Sequence, residues 1–228
     1  LISFAANSFC LLTPAIRHIF TKELTIELRQ RFAAAGIILF TATLVFLVYK
    51  IFNEVNTREW IVLLWIIMLF AAINAIVKSF MQERRETYLY YYTLFHPLDL
   101  IIAKILYNFL FLILLLACVM GFFGVFTGIP VRDYLLFSAG SLAGLAGISI
   151  TFTFVSLLSA SENGNATLMS ILSLPLVLPV VLLLLKITAV STRLLSDSTV
   201  WEDLMLLISI DAILLGAVLL LFPVMWKS

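Results

Sequence analysis

The 228-residue sequence predicts an all-α polytopic membrane protein of six transmembrane helices, and three observations carry that reading. Hydrophobic residues make up 63% of the chain and charged residues 12%, with a mean hydropathy of +1.16, where a soluble domain carries roughly 25% charged residues. Uncharged runs long enough to cross about 30 Å of hydrocarbon recur along the whole chain. None alternates with the period of two that a barrel strand needs, so only a helix can satisfy the backbone inside lipid.

Residues 1–15 are expected to be a lead-in, either disordered or upstream read-through, because Asn7 and Pro14 interrupt an apolar stretch too short to span. Residues 16–228 are read as one transmembrane domain. In residues 16–31, Ile16, Phe20, Leu24 and Leu28 follow one another at i, i+4, among Arg17, Lys22, Glu23, Glu27, Arg29 and Arg31. That pattern predicts a helix lying in the membrane interface; the plain alternative is the polar first turns of span one. Spans are then expected at about 32–50, 59–78, 100–128, 134–158, 165–190 and 204–226. A polar segment at 79–98 separates the second span from the third.

Orientation follows from Lys and Arg. With the N-terminus cytoplasmic, the inner side holds Arg17, Lys22, Arg29, Arg31, Lys78, Arg84, Arg85, Lys104 and Lys227, and the outer side holds Lys50, Arg58, Arg132, Lys186 and Arg193. The excess places both termini inside. A net charge of +1 gives no reason to expect nucleic acid or a strongly acidic partner.

The motifs of catalysis and of nucleotide binding are missing. The sequence has no G-x-x-x-x-G-K-[ST] phosphate loop, no H-E-x-x-H and no G-x-S-x-G, so any ATP is expected to be hydrolysed by another chain. His18 and His96 are read as interfacial polar residues rather than metal or haem ligands. Cys10 and Cys118 lack metal or redox spacing and are read as small hydrophobes.

Four features remain. Glu83, Arg84, Arg85 and Glu86, followed by Tyr88, Tyr90, Tyr91 and Tyr92, make a charged start and an aromatic patch. As a short helix this segment could enter a groove of a cytoplasmic subunit; as a solvated loop it would only hold its tyrosines at the interface. Pro175 and Pro179 lie four residues apart in the fifth span, where each removes a backbone donor and favours a kink or break. They serve either a gating bend or packing variety alone. Gly124 and Gly128, Gly140 and Gly144, with Ala143 and Gly147 beside them, are small residues at the spacing that lets helices approach closely. Asp211 is an acid well inside the sixth span and should face protein. Lys186, near the outer end of span five, is its expected structural partner, with a proton-coupling acid as the alternative.

Together these features resemble the membrane subunit of an ABC exporter of the second type, and specifically the haem exporter protein B family of cytochrome c maturation, CcmB. The likeness runs from about Lys22 to the C-terminus. Its most specific parts are the double-proline run Ser170-Ile171-Leu172-Ser173-Leu174-Pro175-Leu176-Val177-Leu178-Pro179 and the cytoplasmic stretch from Phe80 through Glu83, Leu94 and Pro97 to Lys104. Thr87 stands near a point where the family often has Gly.

The resemblance implies an ABC-2 permease fold in the bacterial cytoplasmic (inner) membrane and a homodimer above two copies of an ATP-hydrolysing, CcmA-like subunit. It further implies a CcmC-like haem-handling protein, a small CcmD-like helical protein and a CcmE-like haem chaperone. The subunit itself is expected to be non-catalytic and to bind no cofactor, with ATP held by the partner and haem as the cargo. Residues 79–98, with Glu83, Arg84, Arg85, Glu86, Tyr88, Leu94 and Pro97, would couple hydrolysis to movement of the bundle. A proton-coupled carrier or intramembrane enzyme centred on Asp211 is the competing class, and would work without an ATPase.

Overall fold

The computed structural model describes residues 31–52, 55–81, 97–161, 166–196 and 199–225. Six helices make up its regular structure, with no strand among the described residues: α1 (Arg31–Ile51), α2 (Thr57–Met81), α3 (Pro97–Phe126), α4 (Tyr134–Ser161), α5 (Ala166–Ser191) and α6 (Val200–Met225). Four of them are long and apolar enough to cross a membrane, over Thr57–Asn74, Leu98–Phe126, Tyr134–Ser156 and Val200–Leu221. The described apolar parts of α1 and α5, Ala35–Ile51 and Pro175–Ser191, are shorter.

Helix ends follow local chemistry. Asn56 opens α2, and its N–H donates to Glu59 Oε2 at 3.1 Å, one half of a capping box. Asp133 caps α4 by accepting the Leu136 N–H on Oδ1 at 3.1 Å. Pro97 takes the first position of α3, where a missing N–H costs nothing. Both α3 and α6 begin ahead of the uncharged runs that predict them. Their first turns carry Asp99 and the pair Glu202 and Asp203, acids that the positive end of a helix favours.

α5 closes with Leu194 N–H donating to Ala189 O at 3.0 Å and Arg193 N–H donating to Val190 O at 2.9 Å. This is a Schellman turn, and Arg193 occupies its left-handed position at φ 57°, where glycine is the usual residue.

α4 is the centre of the bundle. It packs against α5, α6, α3 and α2, while α1 lies at the edge beside α3 and α2. At the end away from residues 82–96, buried Trp60 of α2 meets Phe123 of α3 and Phe137 of α4, with ring centroids 5.7 and 6.4 Å apart. Phe46 and Tyr49 join α1 to Phe126 of α3 in the same way. Exposed Leu39, Phe70, Leu114, Leu182, Ile213 and Leu220 face outward, as the lipid-facing side of a membrane bundle does.

Candidate functional site

α4 and α5 run antiparallel at very short range. A Cβ on Gly140 would press on Ile187, one on Gly144 would overlap Leu184, and one on Gly147 would overlap Asp211 Oδ1 and crowd Val180. The pairings 140 with 187, 144 with 184 and 147 with 180 step evenly along both helices. This is close small-residue packing, which lets dispersion contacts hold helices together where lipid offers no hydrophobic drive.

At the third step α6 joins. Gly147, Val180 and Asp211 lie roughly 16 to 20 Å from the helix ends remote from residues 82–96, about mid-depth in a 30 Å core. Val180 directly follows Pro179. The end of the double-proline run and the intramembrane acid, which are 32 positions apart in sequence, therefore meet at one glycine. Asp211 is buried, and its Oδ1 has no hydrogen-bond partner among the described residues.

The expected Lys186 and Asp211 pair is not what the structure forms. Lys186 Nζ lies 2.7 Å from Asp203 Oδ2. The reason is where α6 starts: because the helix begins at Val200, Asp203 sits in its first turn, level with Lys186 near the end of α5. Asp211 lies two turns, about 12 Å, deeper. The Lys186 side chain is 40% exposed, so the pair is worth about 1 kcal/mol or less after screening by solvent. Asp203→Asn is expected to lower thermal stability slightly in detergent, and more at low salt than at high salt. A salt-independent loss would show that the charge is not what matters.

Pro175 and Pro179 are both exposed and share one outward stripe with Leu178 and Leu182. α5 runs unbroken through them from Ala166 to Ser191. The prolines thus remove donors on the side of α5 away from α4, while the face that meets the glycines keeps its contacts.

Polar groups tie the helices across the interior. Trp65 of α2 donates Nε1–H to Thr188 Oγ1 of α5 at 2.9 Å. Asn108 of α3 donates Nδ2–H to Thr153 Oγ1 of α4 at 2.8 Å, and Ser149 of α4 donates to Ile105 O of α3 at 2.8 Å. Asp99 and Lys104 are buried on α3 toward the same end and have partners of their own. Lys104 was expected only as an inner-side cation within a span at about 100–128; that it and Asn108, four residues apart beside an apolar run, are both buried is what that expectation lacked.

Of the coupling segment, Glu83, Arg84, Arg85, Glu86, Tyr88 and Leu94 lie outside the described residues, as do His18, His96, Cys10 and, but for Arg31 at the start of α1, the helix expected at 16–31; Pro97 is the first residue of α3. Residues 82–96 lie between α2 and α3 in the sequence. Among the described residues no three His, Cys, Asp or Glu side chains come together as metal ligands, and Cys118 is a free, half-buried thiol.

Comparison with curated proteins and with solved structures returns no match. A family model described as CcmB protein matches residues 14–224, nearly the whole chain and all six helices except Met225, the last residue of α6. On that match the chain belongs to the CcmB family.

Proposed function

We propose that the chain is the non-catalytic membrane subunit of an ATP-driven complex, and that it turns ATP hydrolysis by a separate subunit into a change of packing among α4, α5 and α6. The CcmB family supplies the membrane component of a haem-exporter ABC transporter of cytochrome c biogenesis, a multi-pass protein of the inner membrane. In the reading proposed here, two copies stand above two CcmA-like ATPase subunits, alongside CcmC-like and CcmD-like membrane proteins. The work delivered is haem export or release of a haem-loaded, CcmE-like chaperone. Both termini are cytoplasmic, as the distribution of Lys and Arg suggests, residues 16–31 lie along the inner interface, and residues 79–98 receive the stroke.

One observation carries this reading best. The two helices that residues 82–96 connect are each hydrogen-bonded across the interior to the α4 and α5 pair, α2 through Trp65 and Thr188 and α3 through Asn108 and Thr153. A displacement of the connector is delivered to α5 and α4 through buried bonds, which are costly to leave unmade.

The test is charge reversal in the connector, with the whole complex purified. Glu83→Lys or Glu86→Lys is expected to cut coupled ATPase activity and cytochrome c maturation by about tenfold, the effect of losing roughly 1.4 kcal/mol of docking, while the chain still inserts and folds. An inert scaffold would leave the ATPase rate untouched, and that result would sink the proposal.

The competing reading, a proton-coupled carrier centred on Asp211, draws on the buried oxygen that lacks a partner. It requires activity without any ATPase subunit and loss of transport in Asp211→Asn with ATPase activity intact. The coupling reading requires the converse on both counts.

A further inference from the structure

At the end of the bundle remote from residues 82–96, a cavity of about 670 Å³ opens between the start of α4, the end of α5 and the start of α6. Its size falls within the range of small-ligand sites. The wall is apolar and aromatic, from Leu135, Leu195, Val200 and Trp201, and two opposite charges line it, Asp133 and Arg193. Leu135 and Trp201 are 75% and 59% exposed, and exposed aromatic side chains at helix ends mark the level of lipid headgroups.

The two charges face one cavity without pairing. Neither Asp133 nor Arg193 forms an ion pair with any described residue. Asp133 spends Oδ1 on the Leu136 N–H, which leaves its second oxygen for a donor. Arg193 is held at φ 57° in a turn that glycine would fill without strain; a guanidinium kept at such a cost is a pointer to use. Among the described residues, Lys186 pairs with Asp203, and Arg132 and Glu202 lie outside the lining.

We propose that this cavity binds the headgroup of phosphatidylethanolamine from the leaflet opposite the connector. Its phosphate lies on Arg193, its primary ammonium donates to Asp133, and its glycerol and first acyl carbons rest on Leu135, Leu195 and Trp201. One anion and one hydrogen-bonding cation in the same small headgroup satisfy both unpaired charges at once. Phosphatidylglycerol brings no cation for Asp133, and the quaternary ammonium of phosphatidylcholine has no N–H to donate.

The substitutions that test this are gentle on the fold. Glycine suits the φ of residue 193, and asparagine at 133 keeps the capping oxygen. The full chain, purified with its partner subunits and partly delipidated, is offered phosphatidylethanolamine, phosphatidylglycerol or phosphatidylcholine, and retained lipid is counted by native mass spectrometry. Phosphatidylethanolamine is expected to be retained about tenfold better than the other two, a difference of one decade in affinity. Arg193→Gly and Asp133→Asn are each expected to erase that preference, and Arg193→Lys to keep part of it. Equal retention of phosphatidylcholine, an unchanged preference in either variant, or a Lys variant no better than the Gly variant overturns the proposal. Displacement of the lipid by soluble phosphoethanolamine at matched concentration overturns the assignment to a lipid.

Discussion

Gly144→Ala is expected to destabilise the bundle by about 1–3 kcal/mol, the usual range for overpacking a filled interior. The added Cβ would overlap Cγ and both Cδ atoms of Leu184. Leu184 is fully buried, so it has no open space to move into. The same change at Gly36 or Gly121 meets nothing within 4 Å and should instead stabilise, because alanine exceeds glycine in helix propensity by about 1 kcal/mol. One substitution type thus takes opposite signs at positions that differ only in what lies opposite.

Leu184→Ala alone should cost about 2–5 kcal/mol. Combined with Gly144→Ala it should cost less than the sum, since the new methyl enters the space the leucine leaves; contacting residues couple by about 0.5–3 kcal/mol. Equilibrium unfolding of the four proteins in one detergent decides the matter. Additive losses would mean that α4 and α5 do not meet along this seam.

Much of this arrangement could be read from the sequence, and the limits have physical causes. Uncharged runs located the helices because a membrane excludes charge from their middles. The same criterion misplaced the starts of α3 and α6, since Asp99, Glu202 and Asp203 lie in first turns that favour acids. Four residues of error at the start of α6 were enough to choose Asp211 over Asp203 as the partner of Lys186. The glycines of α4 were visible as a spacing, but their partners were not. A helix that is apolar on every side gives no period from which to tell its inner face, and nothing in sequence order brings Gly147, Val180 and Asp211 to one level. Lys104 and Asn108 illustrate the same limit, because a polar pair beside an apolar run reads equally well as a loop edge or as an interior contact.

Replacing both prolines of α5 with alanine should make the protein more stable and less active. Each proline in a helix interior costs about 3 kcal/mol in a soluble host, and a membrane bundle recovers part of that through neighbouring groups; the double variant should therefore unfold at higher temperature. Because Pro175 and Pro179 face outward with Leu178 and Leu182, alanine there removes no buried contact, and a loss of function could not be put down to damaged packing. What alanine adds is an N–H at residues 175 and 179, which restores the helical bonds to the carbonyls of Ile171 and of residue 175. The restored ladder stiffens α5 next to the level where Val180 meets Gly147. If the stroke received by the connector ends in a bend of α5 against α4, stiffening it should lower cytochrome c maturation by about tenfold, equivalent to roughly 1.4 kcal/mol on the conformational step, with assembly of the complex unimpaired. Higher stability with full maturation would reduce the prolines to packing variety.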